Sequence, residues 1–136
     1  MRFDRNRVRR LVLPFLAETL NPRAARHLVK AARTIREDAV LLDALAAERL
    51  ERLGSADRVG GFSLQVPGLA ASPDPIATRV ARLAIERAGA DPRRIAARHV
   101  DALLDLARGA GGRELHLPGR LRARRVGRRI VLRRQA

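Results

Sequence analysis

Two arginines and an asparagine near the start of the chain have the residue types and spacing for phosphate chemistry. Arg5 and Arg9 are four positions apart, so on a helix both side chains leave the same face, with Asn6 beside them. Two guanidiniums on one face suit a phosphate or pyrophosphate, because each presents a planar fork of N–H donors. A basic helix start is otherwise disfavoured by the positive end of the helix dipole. The spacing therefore indicates a phosphate clamp.

Further basic residues follow two regular patterns. One group has the 3-4-3 spacing of a single helix face and consists of Arg23, Arg26, Lys30 and Arg33. The other lies in residues 113–134, which hold nine arginines and one acid, Glu114. In an extended strand, Arg122 and Arg124 would point the same way. If these charges served only to keep an exposed edge strand from aggregating, one or two of them would be enough. We therefore expect RNA contact by the helix group and by Arg120, Arg122, Arg124, Arg128 and Arg129.

The histidines and the paired acids give weaker signals. His27, His99 and His116 have no partner at metal-ligand spacing, so we predict no metal site. Asp101 and Asp105 are an i,i+4 pair that could hold a divalent ion, but a solvated helix face is the simpler interpretation. The sequence has no GxxxxGK[ST], GxGxxG or SGGxDS phosphate loop. We therefore expect this chain alone to bind no nucleotide cofactor.

Two predicted helices carry the first two basic groups. Residues 5–20 form a short helix that Pro14 can kink. A long helix starts at Asn21-Pro22, with Asn21 as the N-cap, and stops at Gly54. Its apolar seam is Leu28, Ala32, Ile35, Ala39, Leu42, Ala46, Leu50 and Leu53. Such a helix is about 48 Å long, whereas a globule of this size has a radius of gyration of only ~14 Å. We therefore expect the helix to break or to project, with a seam that needs a partner.

The remaining residues predict a small sheet backed by helices. The expected order is a loop at 55–61, a strand at 62–66 ended by Pro67-Gly68, helices at 74–88 and 91–108, a break at 109–112, a strand at 114–117, and a hairpin of 121–126 and 129–132 about Gly127. The fold class is therefore α+β: an N-terminal helix and a long bridging helix, then a small helix-backed sheet that ends in a β-hairpin.

Composition limits the classes of partner. The chain has 136 residues and a net charge of +15, from 29 basic and 14 acidic residues, and 28 of the basic residues are arginine. A GC-rich genome explains arginine in place of lysine, but not the excess over acids, which favours nucleic acid. Three phenylalanines are too few for a base-stacking platform. There is no cysteine, no apolar run of membrane-spanning length and no signal peptide, so we expect a cytoplasmic setting and no membrane partner.

The opening segment resembles a known family. Asp4-Arg5-Asn6 through Arg9, followed by Pro14, is similar to the D-R-N-x-x-R-x-x-x-x-P segment of bacterial tRNA(Ile)-lysidine synthetases. The resemblance continues through Asn21-Pro22, Leu41-Leu42-Asp43, residues 63–67, residues 115–119 and the hairpin, and covers nearly the whole chain. One departure is Arg10, where many members have histidine.

The resemblance implies a function. Members of this family attach lysine to the wobble cytidine of tRNA(Ile), using ATP through an adenylated tRNA. This chain then looks like the tRNA-recognition part, with residues 1–20 as the tail of a missing ATP-pyrophosphatase domain, 21–54 as a bridging helix and 55–136 as the recognition domain. ATP and Mg²⁺ would belong to that domain, on the same or a separate chain, and Arg5, Asn6 and Arg9 would face its active site. The isolated chain is expected to be inactive.

Two other interpretations remain open from the residues. The chain could be an autonomous RNA-binding or nucleoid-binding protein with no catalytic partner. It could also be a structural subunit that uses the helix seam to form a homodimer.

Overall fold

A computed structural model of the chain describes residues 2–56, 60–109 and 112–135. Its helices and five-stranded antiparallel sheet confirm the predicted α+β class. The contacts divide the chain into two compact units, Met1–Val40 and Leu41–Ala136. No helix within the described ranges is long and apolar enough to cross a membrane.

The first unit begins with the predicted helical segment, in three parts. Helix α1 (Arg2–Arg7) leads into a π-helical turn (Val8–Val12), and helix α2 follows (Leu13–Thr19). In the wide turn, the N–H of Leu13 donates to the carbonyl of Val8, five residues back. The turn directly precedes Pro14, which has no N–H and crowds the carbonyl four residues before it. A widened turn accommodates this proline without ending the helical segment.

Helix α3 (Ala24–Leu53) is unbroken and ends just before Gly54, as predicted. Asn21 caps the turn that leads into it: its Oδ1 accepts the N–H of Arg23 at 2.8 Å. The predicted seam is covered only near the end of the helix, where Ala46, Leu50 and Leu53 are buried. Leu28 and Ile35, in the first unit, are 50% and 66% exposed.

The second unit contains the sheet. Its strands are β1 (Gly54–Ala56), β2 (Phe62–Gln65), β3 (Glu114–Leu117), β4 (Leu121–Val126) and β5 (Arg129–Arg134), in the order β1-β2-β5-β4-β3. Every neighbouring pair is antiparallel. The predicted loop at 55–61 is wrong at its start, because residues 54–56 pair with β2. The Gly-Ser-Ala sequence of β1 has no alternating pattern that would predict a strand. It becomes a strand because its backbone pairs with β2. Residues 57–59 of that loop and residues 110–111 of the predicted break lie outside the described residues.

Two helix boundaries also differ from prediction. Val66 is not the last residue of the strand, and Pro67-Gly68 do not form the predicted turn. These three residues begin helix α4 (Val66–Ala70). The first turn of a helix tolerates proline, because the N–H that proline lacks would have no partner there. The helix predicted at 91–108 is split into a 3-10 turn (Pro92–Arg94) and helix α6 (Ala97–Arg108). Arg82 stabilises the break by donating to the carbonyls of Pro92 and Ile95. Between α4 and the 3-10 turn lies helix α5 (Asp74–Arg87), as predicted.

The core of the second unit lies between one face of the sheet and the helices. Alternate residues of the strands supply the sheet side: Leu64, Leu121, Ala123, Ile130 and Leu132, each no more than 1% exposed. Helices α5 and α6 supply Val80, Ala84, Ile85 and Leu103, each fully buried. The intervening residues of the strands therefore lie on the opposite face of the sheet.

Gly54 permits the close approach of β1 to the core. A β-carbon there would lie 2.9 Å from the carbonyl oxygen of Leu50 and would overlap the ring of Phe62. Because overpacking of this kind costs about 1–3 kcal/mol, we expect Gly54→Ala to reduce the free energy of unfolding by that amount in urea denaturation. Unchanged stability would contradict the close packing of Phe62 against this strand.

Candidate nucleic-acid interface

The sheet face turned away from the core carries the basic residues of the hairpin. In β4, Leu121 and Ala123 are buried, so Arg122 and Arg124 leave the sheet on the other side, as their alternation predicted. The strand register places Arg124 between Glu114 and Val131, and Arg122 between His116 and Arg133. We call this surface the outer face; its members are Ser63, Gln65, Glu114, His116, Arg122, Arg124, Val126, Arg129, Val131 and Arg133.

Arg122 and Arg124 differ in what they contact. The Arg122 guanidinium forms a 2.6 Å ion pair with Glu114 and donates at 3.0 Å to Oε1 of Gln135. Arg124 is exposed and has no side-chain hydrogen bond or ion pair within the described ranges. A phosphate would therefore compete with Glu114 for Arg122, whereas Arg124 is available without such competition.

Two further arginines adjoin the turn between β4 and β5. Arg128 and Arg129 are both exposed, and neither side chain has a partner among the residues that the structure describes. The backbone beneath them is fixed, because the carbonyl of Arg128 accepts the N–H of Val66 at 2.9 Å. Gly127 turns the chain with a φ of 57°. The turn therefore presents two cations on an anchored backbone.

Other arginines of the hairpin point the opposite way and serve the fold. Arg125 donates to the carbonyls of Ala107, at 2.8 Å, and of Gly109, at the end of α6. The same guanidinium donates at 3.1 Å to the carbonyl of Gly127. Arg134 donates at 3.1 Å to the carbonyl of Gly89, just beyond α5. These contacts satisfy carbonyls that helix ends leave without partners. Counting arginines along the sequence could not separate this role from phosphate binding.

The predicted basic face of the long helix lies in the first unit. Arg23, Arg26, Lys30 and Arg33 are all exposed. Arg23 lies in the turn before α3, so only Arg26, Lys30 and Arg33 share a face of the helix itself. Arg33 forms a 2.8 Å ion pair with Glu37. Arg23, Arg26 and Lys30, whose side chains have no partner among the described residues, are therefore the more available cations of this group.

The proposed phosphate clamp at the start of the chain is exposed. Arg5 and Asn6 lie in α1 and Arg9 lies in the π-helical turn. Their side chains make no hydrogen bond or ion pair to any other described residue. Four residues is close to one full turn of either helix type, so Arg5 and Arg9 stay near one side of the segment.

The histidines and acids form no metal-binding cluster among the described residues. His27 is exposed, and Nε2 of His116 lies 3.9 Å from Oε1 of Glu114. His99 caps α6: its Nδ1 accepts the N–H of Ala96 at 3.0 Å. Burial, and secondarily the charge of Arg98, lowers the pKa of His99 below its usual value. A neutral ring is required, because a protonated Nδ1 cannot accept this hydrogen bond.

Comparison with known proteins gives one consistent family. The profile described as the TilS substrate binding domain matches residues 64–134, from β2 to the end of β5. A protein of Nocardia farcinica is 39% identical over 138 residues, covering 98% of this chain and 42% of that protein. A protein of Streptomyces coelicolor is 37% identical over 134 residues, covering 96% of this chain and 36% of that protein. One of Leifsonia xyli is 41% identical over 83 residues, covering 61% of this chain and 25% of that protein.

All three of these relatives bear the name tRNA(Ile)-lysidine synthase. The chain spans between a quarter and about two fifths of their length.

The His99 cap predicts a stability that depends on pH. Because the folded state lowers the pKa of His99, its stabilising contribution is present above about pH 6.5 and is lost as the pH falls through the folded pKa. We expect His99→Gln, which keeps an acceptor but does not titrate, to show a smaller decline in urea-unfolding free energy between pH 8 and pH 5. His27 and His116 are present in both proteins, so equal declines would rule out the capping role.

Proposed function

The chain belongs to the tRNA(Ile)-lysidine synthase family, and on that premise we propose that it forms the tRNA-recognition part of such an enzyme. The observation that carries the proposal is the outer face, where Arg124 and Arg129 are exposed and have no side-chain partner among the described residues, beside Arg128. The family match covers the strands that carry this face. The partner of the face is then the sugar-phosphate backbone of tRNA(Ile).

The distribution of charge supports phosphate contact. Several acids are already engaged by arginines away from the outer face, as in the pairs Asp43–Arg79, Glu51–Arg87 and Asp74–Arg108. Among the described residues, the side chains of Arg124 and Arg129 have no acidic partner and are available to a phosphate. Phe62 is buried on the core side of the sheet and is not available for base stacking. Helical RNA has a major groove that side chains cannot read, so the contacts would be made to phosphates.

The first unit would contribute in two ways. Arg26 and Lys30, with Arg23 and Arg33, would extend the phosphate contacts along the RNA. Arg5, Asn6 and Arg9 would complete an active site on an ATP-pyrophosphatase domain, carried by the same chain or another. ATP and Mg²⁺ would bind to that domain, and the two guanidiniums would stabilise the phosphate charge that develops when the tRNA is adenylated. Arg10 would occupy the position at which many family members have histidine.

Removing two charges from the outer face tests RNA contact. Each lost phosphate contact lowers the slope of log K against log[salt] by about 1, so Arg124→Gln with Arg129→Gln should lower it by up to ~2 in filter binding to tRNA(Ile). Arg122→Gln should have a smaller effect, because Glu114 already compensates this charge. Binding to unrelated tRNAs should weaken in parallel, since phosphates carry no sequence information.

The matched control removes two charges elsewhere. Arg52→Gln with Arg87→Gln has the same net charge, but these arginines pair with Glu48 and Glu51 on α3. Its salt slope should stay close to that of the wild type. Equal effects in both double variants would indicate a general electrostatic field, and no effect in a folded outer-face variant would exclude this face from RNA binding.

Reconstitution tests the role of the clamp. The isolated chain should release no pyrophosphate from ATP with tRNA(Ile) and lysine, whereas adding the ATP-pyrophosphatase domain of a relative in trans should restore turnover. Arg9→Ala should then reduce turnover about 100-fold or more, with little change in tRNA affinity, because the lost interaction acts on developing charge. A wild-type rate for Arg9→Ala would make Arg9 an ordinary surface cation. A failure of any ATP-pyrophosphatase domain to restore turnover would favour an autonomous RNA-binding protein.

A further inference from the structure

The turn between β3 and β4 contains an arginine in an unfavourable backbone conformation. Arg120 has a φ of 59° and is the one non-glycine residue with positive φ in the part of the chain that the structure describes. Gly119 before it has a φ of 80°. Left-handed backbone disfavours a residue with a β-carbon, and glycine or asparagine adopts it most readily. The turn alone would therefore favour glycine or asparagine at position 120.

The backbone holds this conformation through two contacts. The carbonyl of Arg120 accepts the N–H of Gln135 at 2.8 Å, next to the end of β5. A β-carbon at Gly119 would lie 3.5 Å from Cα of Ala90 and from the carbonyl oxygen of Gly89, so the turn packs on the segment that follows α5. Arg134 closes the same corner by donating to the carbonyl of Gly89. The side chain of Arg120 is exposed and takes no part in these contacts.

The segment beneath the turn supplies two more exposed cations. It runs from Gly89 and Ala90 into the 3-10 turn, where Arg93 and Arg94 are exposed. The acid of this segment, Asp91, accepts the backbone N–H of Arg93 at 2.9 Å and does not pair with either guanidinium. Among the described residues, neither arginine side chain has a hydrogen-bond or ion-pair partner.

We propose that Arg93, Arg94 and Arg120 form a second phosphate-binding surface, which we call the edge patch. This inference rests on the proposed function and concerns the same RNA. The edge patch and the turn of Arg128 lie at opposite ends of β4, which is roughly 17 Å long for its six residues. Arg122 and Arg124 lie between the two ends of this strand, on the outer face. A tRNA backbone would then be held at two separated points, which fixes its direction across the sheet.

The left-handed conformation of Arg120 gives a test in which stability and binding move in opposite directions. Arg120→Asn relieves the backbone conformation, so the melting temperature should stay constant or rise by a few degrees. It also removes one phosphate contact, so tRNA(Ile) binding should weaken severalfold at 0.1 M salt and the salt slope should fall by about 1. Arg93→Gln with Arg94→Gln should lower the slope by up to ~2. Lost folding cannot explain weaker binding by a chain that melts at the same or a higher temperature.

Two further variants separate charge from shape. Arg120→Lys keeps the charge and should keep the wild-type salt slope. Arg108→Gln removes one charge from an exposed pair with Asp74, away from the edge patch, and should also keep the wild-type slope. Circular dichroism at the assay temperature restricts the comparison to folded chains.

Several outcomes would overturn the proposal. An unchanged slope in Arg120→Asn would remove Arg120 from the RNA contacts, and an equal loss in Arg120→Lys would exclude a charge-based role. A lower melting temperature for Arg120→Asn would mean that the turn itself requires arginine. If the Arg124→Gln, Arg129→Gln variant lowers the slope and the edge variants do not, the edge patch alone fails. If the wild-type chain does not bind tRNA, the proposed function fails as well.

Discussion

The second unit depends on the position and register of strand β5 in the sheet. It pairs with β2 on one side and β4 on the other, and its Ile130 and Leu132 are fully buried. Because side chains alternate along a strand, a strand with its apolar residues on the core side must turn the intervening residues outward. The same register places Arg124 opposite Val131 and Arg122 opposite Arg133. The burial of two aliphatic side chains thus sets the direction of the cations.

Arginine has three distinct uses in this chain. On the core side of the sheet and at helix ends, its guanidinium donates hydrogen bonds to backbone carbonyls, as in Arg82, Arg125 and Arg134. On helix surfaces it pairs with acids, as Arg52 does with Glu48. At some positions of the outer face and the turns its side chain is exposed and has no partner among the described residues, as at Arg124 and Arg128. The first use depends on the planar guanidinium, which can donate to several carbonyls at once, whereas lysine is a point charge. Only the third use leaves the cation available for RNA.

Helix α3 shows how one element can serve two units. Its last residues, Ala46, Leu50 and Leu53, belong to the core of the second unit. Earlier along the same helix, Leu28, Val29 and Ile35 are 50–70% exposed, beside the cations Arg26 and Lys30. The regular seam is therefore not evidence of uniform burial. Periodicity identifies a helix, but contacts from other parts of the chain decide which of its turns are covered.

The sequence by itself determined the family, the α+β class, the long helix with its stop at Gly54, and the strands of the hairpin. These features rest on local patterns: the D-R-N-x-x-R segment, apolar spacing, and alternation about Gly127. It also determined that Arg122 and Arg124 share a side, because a strand has a period of two. Local patterns were not enough at β1, at α4 and at the break after Pro92–Arg94. There a partner strand, a proline tolerated in a first helical turn, and the side chain of Arg82 decide the backbone.

Only the tertiary structure decided which arginines are free. Arg124 and Arg125 are neighbours in the sequence, yet one is exposed and the other is held by the end of α6. The paired state of Arg122 depends on Glu114, which the β3–β4 register brings close to it. The turn that carries Arg120 packs on Gly89 and Ala90, some 30 residues earlier, in the segment that leads to Arg93 and Arg94. The reason is physical: the availability of a cation depends on the neighbours that folding brings to it, and these come from distant parts of the chain.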